Sequence, residues 1–199
     1  MIVLGLTGSI AMGKTETARM FAARGVPVFD SDSAVHSLYA QGGDAVPEVA
    51  ALAPDAIVDG SVDRRRLAAL VQAEPSLLRR IESVVHPLVA AMQREFLESA
   101  AAKGADMALL DIPLLFEKNR EDDVDVIIVV SAGEQLQRQR ALSRAGMTEE
   151  KLDFILARQL PDAQKRARAD YVIDTSESLA ETAREVERVI ADVRRKARQ

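Results

Sequence analysis

Near the start of the chain, Gly8-Ser9-Ile10-Ala11-Met12-Gly13-Lys14-Thr15 has the spacing of a phosphate-gripping loop: glycine, four residues, glycine, lysine and a hydroxyl. The glycines let the backbone curl so that successive N–H groups converge on an anion, and a helix beginning near Lys14 adds its positive end. In such a loop Lys14 bridges the β- and γ-phosphates of a nucleoside triphosphate and the Thr15 hydroxyl holds Mg²⁺. The loop alone does not separate kinase, ATPase and GTPase. A GTPase needs an Asn/Thr-Lys-x-Asp base-reading motif and an Asp-x-x-Gly switch, and the sequence contains neither.

Carboxylates and arginines supply the rest of the chemistry. Phe29-Asp30-Ser31-Asp32 closes the second apolar run, and ligands of open parallel sheets bind at the carboxyl ends of strands. One aspartate there can both orient a hydroxyl in line with a γ-phosphate and take its proton, and Asp32 is the candidate. Its structural alternative is the N-cap of a helix beginning at Ser33; Asp30 is assigned to structure. Asp111 ends the third run, before Ile112-Pro113-Leu114-Leu115-Phe116-Glu117, where an acid at a strand tip can hold Mg²⁺ through water or simply form a turn. Arg140 and Arg144, four apart, share a helix face on an excursion that could close as a lid, exclude water and place a guanidinium on the transferring phosphoryl group. Arg138 points elsewhere, and Arg158-Gln159 has the same status as Arg140 at lower weight. Arg64-Arg65-Arg66 reads as a solvated helix start. His86 precedes Pro87 at a helix boundary and reads as structural, and His36 has only a helix face to recommend it.

Those residues need a frame. Apolar runs at Ile2–Thr7, Val26–Phe29, Met107–Asp111, Val126–Val130 and Tyr171–Ile173 alternate with helical pattern, the signature of an α/β protein with a parallel sheet covered on both faces. Between the second and third runs lies a stretch far longer than a crossover helix needs. Its pieces, Leu67–Gln72, Ser76–Val85 and Leu88–Ala102, read as a small helical subdomain, an insertion spanning about 33–105. A second excursion, 134–168, breaks at Gly146, read as a helix C′ residue, and restarts at Thr148. The last helix, about Leu179 to Arg195, places Leu179, Ala183, Val186, Ile190 and Val193 on one face.

The 199 residues suffice for one substantial core, expected as a single domain with insertions. A net charge of −5 argues against broad nucleic-acid binding. Only 6 of the 26 basic residues are lysine, so the positive charge sits mostly on bidentate guanidinium groups suited to phosphate. With no cysteine, a disulfide, thiolate nucleophile or thiolate-held metal is excluded. The run Ile2–Leu6 is too short for a signal peptide or membrane span. A soluble cytoplasmic protein with no nucleic-acid, membrane or obligate protein partner is the expectation.

Taken together, the residues resemble the dephospho-CoA kinase family. Gly5-Leu6-Thr7-Gly8-Ser9-Ile10 with the phosphate loop, Val28-Phe29-Asp30-Ser31-Asp32, Asp63-Arg64 with Leu67, His86-Pro87-Leu88-Val89 and Asp111 through Glu117 carry the likeness. Gln137 with Arg140 and Arg144, Gln159 before Pro161, and Ala169-Asp170-Tyr171-Val172-Ile173-Asp174 continue it in order along nearly the whole chain. The resemblance implies a P-loop NTPase three-layer fold with a five-stranded parallel sheet, a helical substrate-binding insertion and a helical lid. It implies ATP and dephospho-CoA as substrates, with Mg²⁺. Carried onto this sequence, Asp32 is the base, Thr7 lies in the active site beside Lys14, and Arg140 is the lid arginine. Gly8 and the stretch Ala11, Met12, Gly13, Lys14, Thr15 and Glu16 hold ATP with Arg144, and Thr15 and Asp111 serve the metal. His86, Pro113, Leu114, Leu115 and Glu117 line the acceptor side. Three positions depart from the family pattern. Ala11 replaces a usual glycine, so a left-handed backbone there would be strained. Glu16 replaces a usual threonine, and Asp174-Thr175-Ser176 stands where an Asn-x-Gly turn is common.

Overall fold

The structure, a computed structural model, describes residues 1–198. It divides into two compact units, one made of Met1–Phe29 with the chain from Ala100 onward, the other of Asp30–Ser99.

The first unit is built on strands β1 (Ile2–Thr7), β2 (Val28–Asp30), β5 (Met107–Asp111), β6 (Val126–Ser131) and β7 (Tyr171–Asp174), in the order β2-β5-β1-β6-β7. All five are the expected runs, shifted by no more than two residues. The sheet is parallel, with Leu6 opposite Asp111 and Thr7 opposite Val129, so the tips of β1, β5 and β6 end side by side. Every residue of β5 is buried, the mark of a strand covered on both faces. Helix α1 (Lys14–Ala23) follows β1, and α9 (Leu179–Lys196) closes the unit. Helix α9 starts in a capping box in which Ser178 and Glu181 satisfy each other's backbone N–H, and it buries Val186, Val189, Ile190 and Val193 against the sheet core. Leu179, expected on that stripe, is instead 65% exposed, because it lies in the first turn, beyond the reach of the sheet. Between β6 and β7 come α6 (Glu134–Leu142), α7 (Glu149–Leu156) and α8 (Asp162–Ala167). Thr148 caps α7 as expected. Gly146, at φ +76°, lies in the turn beyond Ser143, the residue that ends α6, rather than at the helix end itself.

The second unit holds α2 (Ser31–Tyr39), α3 (Val46–Leu52), α4 (Arg64–Ala73) and most of α5 (Pro75–Ala102). It is not wholly helical. Strands β3 (Ile57–Val58) and β4 (Ser61–Val62) pair across Asp59-Gly60, both at positive φ as a two-residue hairpin turn requires. Asp63 caps α4 by accepting from the N–H groups of Arg65 and Arg66, which makes the arginine triplet a solvated helix start. The break expected at His86-Pro87 does not occur. Helix α5 runs through Pro87, with Ile81, Val85 and Val89 buried along one side, so packing on both flanks of the proline outweighs its lost hydrogen bond. No helix among the described residues is long and apolar enough to cross a membrane.

Candidate active site

The strand–loop–helix setting of the phosphate loop is present: β1 ends at Thr7 and α1 begins at Lys14. A Cβ on Gly8 would lie 2.4 Å from Val130 Cγ2 and 2.9 Å from Val130 O, so only glycine lets the loop leave the sheet against β6. Gly13 precedes α1 at φ +88°, and a side chain there would also crowd Thr175. Ala11 adopts φ +63°, the left-handed conformation that strains an alanine. Its methyl group is buried with Ala141 and Leu152 in a small cluster joined by Ile10, Leu142, Met147 and Leu156, which offsets part of that strain.

At the sheet edge the Lys14 ammonium is ion-paired with Asp111, a buried carboxylate at the tip of β5. Thr7, fully buried, donates its hydroxyl proton to Pro113 O at 3.3 Å, which ties the end of β1 to the segment after β5. The Thr15 side chain is exposed and has no hydrogen-bond partner among the described residues. Glu16 stands 2.5 Å from Arg19 one turn along α1, so its charge is partly balanced on the helix surface.

Helices α6 and α7 hold the loop from the other side. Arg140 donates to Thr175 O at 2.8 Å, and the Thr175 hydroxyl donates to Met12 O at 2.8 Å, linking Arg140 to the phosphate loop through one buried threonine. Met12, buried, accepts the Ala132 N–H on sulfur at 3.1 Å. Gln137 Nε2 donates to Ile10 O at 2.9 Å, and Ile10 N–H donates to Gln159 Oε1 at 3.1 Å. Arg138 pairs with Glu149 and Asp153, joining α6 to α7, and Arg158 stacks 3.7 Å above the Phe154 ring. Arg144 is exposed, with a side chain that bonds to no other described residue.

The acceptor-side expectations after β5 divide. Pro113 and Leu114 are half-buried, but Leu115 is fully buried and lies 3.0 Å from where a Cβ on Gly5 would stand, so it is core. Glu117 turns inward. Its Oε1 accepts the Leu160 N–H at 2.7 Å and lies 2.8 Å from Nζ of the fully buried Lys165. The contact is short but poorly directed: neither Lys165 Nζ nor Glu117 Oε2 has a well-aligned hydrogen bond among the described residues, so it acts as an ion pair in a low-dielectric setting. Burial raises the Glu117 pKa, yet Lys165 and the Leu160 N–H together outweigh it and hold the carboxyl below its ordinary range.

Within the second unit, Asp30 rather than Asp32 caps α2, accepting from the N–H groups of Asp32 and Ser33 at 2.9 and 3.1 Å. The helix therefore starts two residues earlier than expected, at Ser31, and the Asp32 carboxylate stays exposed and bonded to no other described residue. His86 lies on the exposed face of α5, 3.9 Å from Glu82.

A family model described as dephospho-CoA kinase matches residues 2–181. The chain belongs to that family. A dephospho-CoA kinase of Rhizobium etli is 52% identical over 194 residues, covering 98% of this chain and 95% of its own. A crystal structure from Thermus thermophilus superposes with a TM-score of 0.80 at 34% identity, over 96% of this chain and 97% of that one. A dephospho-CoA kinase from Campylobacter jejuni, at 21% identity and a TM-score of 0.71 over 96% of each chain, shares the fold. The family is one of kinases, so the chain is an enzyme, and its parallel sheet with a phosphate loop is the P-loop kinase fold.

Sequence reasoning missed the Thr175 bridge, which it treated only as a departure from the family turn; it gave Gln159 a low-weight place on the lid, and Gln137 and Lys165 no role. Nothing in the sequence sets Gln137 apart from a solvated helix residue; its 4% exposure emerges only in the fold.

Proposed function

We propose that the chain transfers the γ-phosphoryl group of ATP to the 3′-hydroxyl of the dephospho-CoA ribose, giving CoA and ADP, the final step of coenzyme A biosynthesis. The observation that carries the reading is a complete phosphate loop in its strand–loop–helix setting, within a chain that matches the kinase family along nearly its whole length.

The Ala11 N–H, the loop amides from Gly13 to Thr15 and the start of α1 cradle the phosphates. Lys14 moves from Asp111 to the β- and γ-phosphates, exchanging one anionic partner for another. The Thr15 hydroxyl and the Asp111 carboxylate are hard oxygen donors and fit Mg²⁺, which when bound neutralises charge on the triphosphate. Arg140 reaches from α6 toward the loop and stabilises the charge of the transferring group, and Arg144 on the same face binds donor phosphate. Asp32, with a carboxylate that the helix cap does not use, takes the hydroxyl proton as the 3′-oxygen bonds to phosphorus and the bond to ADP breaks. His86, Pro113 and Leu114 receive the acceptor. Leu115 and Glu117 contribute by packing and by anchoring the lid.

An ADP-release assay tests the reading. Turnover that requires dephospho-CoA is expected. Turnover with a nucleoside monophosphate instead, or slow hydrolysis indifferent to any acceptor, would overturn it.

A further inference from the structure

The backbone N–H and C=O of Ile10, which belong to the peptide units before and after it, are both held by side chains from the segment between β6 and β7. Its N–H donates to Gln159 Oε1 and its C=O accepts from Gln137 Nε2, at 3.1 and 2.9 Å. The next residue is Ala11, at φ +63°, and the one after it, Met12, is held through Thr175 by Arg140. Support for the strained corner of the phosphate loop thus comes from that segment, through Gln137, Gln159, Ala141 and Leu152, and from Thr175 beyond β7. An alanine at a left-handed position holds that conformation only where its surroundings over-determine it.

We propose that Gln137 and Gln159 are positioning residues for the phosphate loop. They fix the two peptide units that flank Ile10 and so the orientation of the Ala11 N–H at the strained corner of the loop, coupling the placement of the segment from α6 to Gln159 to nucleotide affinity. This deepens the kinase reading and rests on it. The two amides are not interchangeable. A backbone C=O can only accept, so Gln137 must donate; a backbone N–H can only donate, so Gln159 must accept. A carboxylate only accepts. It can therefore replace Gln159 but not Gln137, where it would face a carbonyl oxygen inside a buried site.

The substitution order follows from that asymmetry. Gln159→Leu, which leaves the Ile10 N–H unpaired, should weaken ADP binding and raise the KM for ATP about tenfold, and Gln159→Glu should recover most of the loss. At Gln137 the order reverses: Gln137→Met should weaken nucleotide binding about tenfold and Gln137→Glu by more. The KM for the acceptor should stay within about twofold throughout, which loss of a merely structural contact would not ensure. If Gln137→Glu fails to fold, Gln137→Met and the Gln159 pair still decide the matter. The inference is overturned if Glu is no better than Leu at position 159, if Gln137→Met binds ADP like the parent protein, or if donor and acceptor KM rise together. Failure of the kinase reading itself would show separately, as a parent protein that neither binds ADP nor turns over.

Discussion

Lys165→Met tests how the segment after α7 is anchored. Lys165 is fully buried and its ammonium lies 2.8 Å from Glu117, whose side chain is 13% exposed. Removing the lysine leaves a carboxylate in a low-dielectric site with the Leu160 N–H as its remaining strong partner. Breaking a buried pair from one side costs about 3–5 kcal/mol, and the surviving hydrogen bond points to the lower end, about 3 kcal/mol. For a chain of this size that corresponds to a fall in Tm of about 6–12 °C. The pH dependence has a definite sign. In the parent protein the Glu117 pKa is depressed, so its contribution is present above the unfolded pKa and is lost as pH falls through the folded value. In the variant the lysine no longer lowers that pKa while burial still raises it, so the charged form is penalised and protonation relieves the penalty. The deficit should therefore shrink between about pH 7 and about pH 4.5. Urea denaturation followed by far-UV circular dichroism suits a chain without tryptophan. The double variant Lys165→Met with Glu117→Gln should recover most of the loss, since a neutral amide still accepts from Leu160 and no buried charge remains. A deficit under about 1 kcal/mol at neutral pH, one indifferent to pH, or a double variant no better than the single would refute the reasoning.

Ala11→Gly should leave stability within about 1 kcal/mol, because about 1–2 kcal/mol of left-handed strain is relieved while a buried methyl group and unfolded-state entropy are given up. Equilibrium denaturation checks this, and a change beyond about 2 kcal/mol in either direction contradicts it. Asp32→Asn should lower the rate of acceptor phosphorylation by about 10²–10⁴ with little change in Tm, since Asp30 keeps the cap; an undiminished rate removes Asp32 from the chemistry. Pro87→Ala should stabilise the helical unit by about 1–3 kcal/mol by restoring a mid-helix N–H, as read by urea denaturation, and no gain would mean that the helix is already adapted to the proline.

How much was legible in the sequence depends on the range of the interaction concerned. Strands β1, β5, β6 and β7 stand out because a parallel strand buried on both faces is written as an unbroken apolar run. The left-handed corner at Ala11 could be anticipated only through the family resemblance, which puts a glycine there, because the loop spacing itself leaves that position open. Local signals were also present where they were overlooked. Asp59-Gly60 between Ile57-Val58 and Ser61-Val62 is a hairpin turn by type, and it lay hidden within a stretch dominated by helical pattern. Asp30 and Asp32 both have the chemistry of a cap, and only the geometry, in which Asp30 reaches the N–H groups two and three residues on, decides between them.

The contacts that shape the site are of another kind. Thr175 reaches Met12 across 163 residues, Gln159 reaches Ile10 across 149, and Gln137 reaches the same residue across 127. None of these follows from periodicity, because a single polar residue reads as solvated until the fold brings a backbone group against it. Their common target explains why they gather there. A phosphate loop turns most of its amides toward its ligand; here one internal backbone bond, from the Met12 N–H to Ser9 O at 3.2 Å, closes the turn, and distant side chains supply further restraint. In this chain part of it comes, through Gln137 and Gln159, from the segment that also carries Arg140, and part from Thr175 beyond β7, so the placement of that segment and the shape of the loop are tied to one another.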